Sequence, residues 1–251
     1  MVPTNFSDFL GMESIVLLGD PGAGKSHLFQ DGCQFENGFF FTVDTFLTYA
    51  DDKCKERIIY IDGLDERRSS LANSSVFIEI IKKLIEIKPL KIRVSCRVAD
   101  WLGSTDLELF KPFFDGLGSY SVISLEKLQV SEIKLILKQV LDQDVTDFIS
   151  TAKRKGVESL LDNPQTLLML VTTVNAGKWP DSKYDLFEKS TEILVTEFND
   201  KHLILRQNTH RNDELLLLAG KIFSHLLIGN AAGITTKKNM KRIGCQILKV
   251  W

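Results

Sequence analysis

The chain lacks the closely spaced cysteine pairs that build disulfide frameworks and structural metal sites. Its 251 residues include four cysteines, Cys33, Cys54, Cys96 and Cys245, with no C-x-x-C pair among them. That usage points to reduced, buried thiols in a cytoplasmic protein. A dominant charge is missing too: 31 basic residues face 33 acidic ones, for a net charge of -2. This balance argues against a surface given over to nucleic acid or acidic lipid. The opening MVPTNFSDFLGMES has neither a basic leader nor an apolar core of signal length, so a cytosolic location is expected. The longest apolar stretch, residues 215–234, is interrupted by Lys221 and His225. A lysine at the bilayer centre costs roughly 2.5 to 3.5 kcal/mol on insertion scales, so buried helices are expected there and no membrane partner. Internal repeats and low-complexity tracts are absent as well.

What is present is an ordinary globular composition, 44% hydrophobic and 25% charged, enough for one substantial core or a main core with a satellite domain. The first half alternates short apolar runs with helical patterns, as a sheet wrapped by helices would. Strands are expected at SIVLLG (14–19), NGFFFTVDTF (37–46), RIIYID (57–62), LKIRVSCR (90–97) and SYSVISL (119–125). Such mostly apolar strands suit a buried parallel sheet. A helix should follow the first strand and end near Gly32. In residues 73–89, Phe77, Ile80, Ile81, Leu84 and Ile85 recur at helical spacing, with Pro89 as the stop. After Leu125 the pattern turns helical throughout. Ser131 is placed to cap a helix faced by Ile133, Ile136, Leu137, Val140 and Leu141, and further helices are expected at 144–153, 155–162, 165–176, 183–201 and 213–228. No acid follows Leu215, while Lys237, Lys238, Lys241 and Arg242 cluster, either as a solvated tail or as a partner-binding one.

The chemistry concentrates in two stretches. GDPGAGKS (19–26) matches G-x-x-x-x-G-K-[ST] between an apolar strand and a helix. Glycine allows backbone N–H groups to converge on phosphate oxygens, and the helix that follows points its positive end at them. Nucleotide contact is therefore expected along Gly19, Asp20, Pro21, Gly22, Ala23, Gly24, Lys25, Ser26 and His27. Lys25 would neutralise the β- and γ-phosphates, and the Ser26 hydroxyl would ligate Mg²⁺. His27 reads as a surface or capping contact rather than a catalyst. In IIYIDGLDE (58–66), four apolar or aromatic residues carry Asp62 to the end of a buried strand, where its carboxylate would meet the same Mg²⁺. Many hydrolytic P-loop ATPases place a Glu directly after this Asp. Here Gly63 follows, and the acids come later as Asp65 and Glu66, where a sharp turn would present them near the γ-phosphate.

These two motifs together resemble the NACHT-type branch of the STAND ATPases, nucleotide-controlled switches of innate immunity and anti-phage defence. The resemblance covers about residues 10 to 205. It implies a P-loop NTPase of three-layer α/β/α class with a five-stranded parallel sheet over residues 1–125. An all-α helical domain would span 126–205, and a helical and basic segment 206–251, where a complete winged helix does not fit. It implies Asp62 for Mg²⁺, Asp65 and Glu66 for water or outer contacts, and Arg97, at the end of IRVSCR, as a γ-phosphate sensor. Pro164, in LLDNPQTLLML (160–170), would lie against the nucleotide base. Other readings stay open at each position. Asp65 and Glu66 could pair with Arg67 and Arg68, Arg97 could bridge to Asp100, and Pro164 could simply start a helix.

The resemblance implies ATP or ADP with Mg²⁺ as cofactors, slow hydrolysis, self-association on exchange, and effector and sensor modules outside this chain. A nucleotide-holding scaffold or regulator without catalysis is the alternative, favoured by Gly63. An AAA+ motor would show an adjacent Asp-Glu and an Asn or Thr sensor in the fourth strand, and neither is here. With no N-K-x-D motif after the fourth or fifth strand, adenine is expected over guanine.

Overall fold

The computed structural model describes residues 5–65, 75–141, 144–177, 179–192 and 212–228. The chain divides into two compact units, one of residues 1–128 with 163–165, the other of 129–162 with 166–251. Glu66, Arg67, Arg68, Cys245 and the basic cluster from Lys237 to Arg242 lie outside the described residues.

The first unit is a three-layer α/β/α fold. Its five strands are β1 (Ser14–Leu18), β2 (Phe39–Thr42), β3 (Ile58–Asp62), β4 (Lys91–Cys96) and β5 (Tyr120–Ser124). They form one sheet in the order β2-β3-β4-β1-β5, with every neighbouring pair parallel. Parallel strands need crossover helices, and these cover both faces. On one face lie Val16, Ile59, Ile61, Ile92, Val94 and Cys96, buried under α2 (Val43–Tyr49), α3 (Ser75–Ile87) and α4 (Ser104–Leu117). On the other, Leu17 and Tyr60 pack against Phe29 and Cys33 of α1 (Lys25–Phe35). Phe29 meets Tyr60 edge to face, ring centres 5.2 Å apart, which anchors α1 to β3.

Several local expectations are corrected. α1 does not stop at Gly32 but runs on to Phe35. This glycine allows close approach rather than termination, since a Cβ there would lie 2.9 Å from the Tyr60 hydroxyl and 3.0 Å from Phe6. The second strand ends at Thr42, not Phe46. Thr42 and Thr45 cap each other's backbone N–H groups (2.8 and 3.3 Å) and start α2, whose Val43 and Phe46 enter the core. The cap of the first helix after the sheet is Gln129, not Ser131. Gln129 and Glu132 form a reciprocal box at the start of α5 (Val130–Val140). α4, which no sequence pattern predicted, carries Pro112 and Gly116 within it, yet it places Phe110 and Phe114 in the core, where they stack on Trp101 and Tyr120.

In its described residues the second unit is helical. It contains α5, α6 (Val145–Arg154, capped by Asp144), most of α7 (Pro164–Asn175), α8 (residues 183–192) and α9 (Asn212–Ile228). The helix expected at 155–162 is a single 3-10 turn, Glu158–Leu160. Buried Ile133, Leu137, Phe148, Ala152, Leu160, Leu161, Leu167, Leu170 and Leu186 supply its apolar interior. No helix of the described residues is long and apolar enough to cross a membrane. Cys33, Cys54 and Cys96 are buried thiols outside any disulfide.

Candidate functional site

Because all five strands are parallel, the loops after β1, β3 and β4 emerge at one edge of the sheet. β4 lies between β1 and β3, so the residues ending β4 stand between the glycine loop and Asp62.

The loop after β1 closes on itself. Gly19 donates its N–H to the Cys96 carbonyl (3.3 Å), and Ala23 donates to the Asp20 carbonyl (3.1 Å). Gly22 and Gly24 take φ of +75° and +94°, values that L side chains rarely adopt, and Gly24 is the cap from which α1 begins. The Lys25 ammonium sits within the loop and donates to the carbonyls of Gly19 (2.6 Å) and Asp20 (3.0 Å). Its pKa is lowered, chiefly by burial. The Asp65 charge opposes that shift, Arg97 reinforces it and Asp62 opposes it, which places all three in the field of the ammonium. Ser26 is exposed in the first turn of α1, where helix N–H groups have no intrahelical acceptor. His27 is mostly exposed and stands 3.6 Å from Asp31 one turn on.

Across the gap, the register pairs Ile61 with Val94, which sets Asp62 level with Ser95. The Ser95 hydroxyl donates to Asp62 Oδ1 and accepts the Gly63 N–H at 2.9 Å. Gly63 has φ +79°, so the glycine after Asp62 is what lets the chain turn sharply once its N–H has met Ser95. That turn buries Asp65 to 5% exposure. Its carboxylate accepts the Arg97 backbone N–H (3.1 Å) and pairs with Arg97 Nε (2.7 Å). The acid that Arg97 bridges is therefore Asp65, in place of the Asp100 considered from sequence.

Residues 163–165 pack with the first unit. Asn163 Nδ2 donates to the Pro21 carbonyl (3.0 Å), and the Gln165 N–H lies 3.3 Å from the Gly22 carbonyl. A Cβ placed on Gly24 would lie 4.0 Å from Pro164 Cγ. Pro164 is also the first residue of α7, where its missing N–H costs no hydrogen bond. The sequence reading missed Ser95 and Asn163. A lone hydroxyl in the apolar run of β4 was the available signal for the first; the second had none beyond its neighbour Pro164.

The described residues hold no cluster of three His, Cys, Asp or Glu suited to a metal ion. A divalent cation fits this site in the manner of Mg²⁺, which typically takes one or two carboxylates, phosphate oxygens and water. With Oδ1 engaged by Ser95, Asp62 offers Oδ2, and Ser26 offers its hydroxyl.

The fold and the glycine loop define a P-loop NTPase fold. No family model matches the chain, and no curated protein is similar to it. Among solved structures it is similar to the FIGL-1 AAA domain in complex with ADP, at 12% identity and TM-score 0.43, with 84% of this chain and 78% of that one covered. It is also similar to AMPPCP-bound DnaA from Aquifex aeolicus, at 17% identity and TM-score 0.47, covering 84% and 71%. These likenesses lie in the path of the chain alone.

Proposed function

We propose that this chain binds Mg-ATP on the Gly19–His27 loop and acts as a nucleotide-dependent switch with slow hydrolysis, of the NACHT and STAND type that its motifs resemble, in defence signalling. The observation that carries the reading is the loop itself, wrapped around a lysine whose ammonium feels Asp62, Asp65 and Arg97. A triphosphate would take over the Lys25 contacts now made by the Gly19 and Asp20 carbonyls. Bound Mg²⁺ would neutralise charge on the β- and γ-phosphates, held by Asp62 and Ser26.

Arg97 supplies the switch logic. Its guanidinium is paired with Asp65 and 46% exposed, so a γ-phosphate at the strand ends competes with Asp65 for it. A diphosphate leaves the pair intact. Such a difference in contacts is what allows a ligand to shift a conformational equilibrium. Asp65, once released, is the group that would orient the attacking water, with Glu66 beside it in sequence. Pro164 would bound the base, and adenine is the expected one. Self-association and effector or sensor modules in other chains follow from the resemblance only.

A second reading, a nucleotide holder without turnover, draws on the same pair. Asp65 is already committed to Arg97, and Gly63 stands where a hydrolytic Glu is common. Single-turnover hydrolysis of Mg-ATP by wild type, Lys25→Ala and Asp65→Asn separates the two. The switch predicts slow turnover that both variants lose, with Asp65→Asn still binding nucleotide. Bound nucleotide without turnover in wild type would establish the holder. No binding at all would refute both.

A further inference from the structure

We infer that Ser95 is a positioning residue for the Asp62 carboxylate, fixing which oxygen that group presents to a divalent cation. The inference rests on the proposed nucleotide reading and deepens it. Ser95 is fully buried in β4, at a position where a parallel strand covered on both faces ordinarily carries an apolar side chain. Its hydroxyl is held from two sides: Oγ accepts the Gly63 N–H at 2.9 Å and donates to Asp62 Oδ1. A serine hydroxyl has a single proton. With the Gly63 N–H occupying the acceptor side, that proton is directed at Asp62, and the rotor has one setting. Oδ1 is thereby held, which leaves Oδ2 as the oxygen for a cation.

Every part of this clasp comes from a different constraint. The β3–β4 register brings Asp62 and Ser95 level, and register partners in parallel strands face the same side. That side is the one covered by α1, because Leu17, the β1 partner of Ser95, packs in the cluster with Phe29. The N–H that meets Ser95 belongs to the peptide joining Asp62 to Gly63, and the φ of +79° at Gly63 turns the chain beyond it. A glycine takes that positive φ without strain, which accounts for its presence where a glutamate is common. Hydrogen bonds to ligating carboxylates fix their orientation, and loss of such partners typically costs about 10- to 100-fold in metal affinity.

The test measures ADP affinity by calorimetry in EDTA and across a Mg²⁺ titration, for wild type, Ser95→Ala, Ser95→Thr and Ser95→Val. The expected result is that Ser95→Ala binds metal-free ADP within about twofold of wild type, while the Mg²⁺ affinity of its ADP complex falls about 10- to 100-fold. Thr and Val impose a similar bulk on the strand and differ in the hydroxyl. Thr should therefore keep the Mg²⁺ response that Val loses, which also decides the matter if the alanine variant fails to fold. In an Asp62→Asn background, Ser95→Ala should add nothing. Mg²⁺ titrations of Ala and Val that overlay wild type would overturn the assignment while leaving nucleotide binding in place. Wild-type protein with no ADP affinity would overturn the nucleotide reading and this inference together.

Discussion

Replacing Glu36 by Gln should unfold the first unit far more readily than a neutral, isosteric change suggests. Glu36 follows the last turn of α1, and its carboxylate is 7% exposed. Four donors converge on its two oxygens. Arg93 Nη2 (3.2 Å) and Lys91 Nζ (3.5 Å) reach Oε1, while Arg93 Nε (3.3 Å) and the Tyr60 hydroxyl reach Oε2. The Arg93 side chain is fully buried in the middle of the sheet and also donates to the carbonyls of Leu10, Glu13 and Ile92. Burial and then the Glu36 contact push the Tyr60 hydroxyl pKa well up, so it stays protonated and donates. A glutamine in this place offers one oxygen and turns an NH₂ donor toward the remaining donors, so about half of the bonds are lost. Arg93 keeps its charge without a counter-ion. Breaking one side of a buried pair in this way costs about 3 to 5 kcal/mol. Against a total stability of about 5 to 15 kcal/mol that is a large fraction.

The assay is urea unfolding with hydrogen exchange read at β3 and β4 amides, which follows the first unit rather than the whole chain. The triple change Glu36→Met, Arg93→Met, Tyr60→Phe should recover part of the loss, since apolar replacement of a whole buried network avoids the unpaired charge. A loss under about 1 kcal/mol for Glu36→Gln would refute the reasoning, because that is the range of an exposed pair.

Two further outcomes follow from the same structure. Gly63→Ala forces a side chain to φ +79° and pulls the N–H off Ser95, so stability should fall by about 1 to 2 kcal/mol and the Mg²⁺ dependence of ADP binding should weaken in parallel. Urea titration and calorimetry on the same sample check both, and an alanine variant with unchanged Mg²⁺ dependence would count against the clasp. Glu13 ties β1 to β5 by accepting the Ser119 N–H (2.9 Å) and hydroxyl; these bonds hold its pKa below the ordinary carboxylate value. A depressed folded pKa means the stabilisation is present above the unfolded value and is lost as pH falls through the folded one. Glu13→Gln should therefore flatten the melting temperature profile on its acid side, from about the ordinary glutamate value near pH 4 to 5 downward, and leave the shape of its neutral and alkaline side unchanged, as thermal melts would show.

The sequence alone determined what depends on a few consecutive residues. The loop from Gly19 to Ser26 was legible because its backbone conformation and its lysine are set within one turn of chain. The five strands were legible because their apolar runs are short, and the boundary-breaking residues lie beside them. Even so, purely local pattern misread Gly32 as a stop and carried β2 past Thr42. In the first case a ring on another strand decides, in the second a cap formed by the next turn.

The tertiary structure decided how the site's side chains are paired. Asp65 meets Arg97 and Ser95 meets Asp62 across more than thirty residues of chain, and Asn163 reaches the Pro21 carbonyl from much farther. None of these partners is implied by spacing. The first two follow from the placing of β4 beside β3, an order fixed by how the whole sheet buries its two faces and carried by no single segment; the third follows from the packing of residues 163–165 with the first unit.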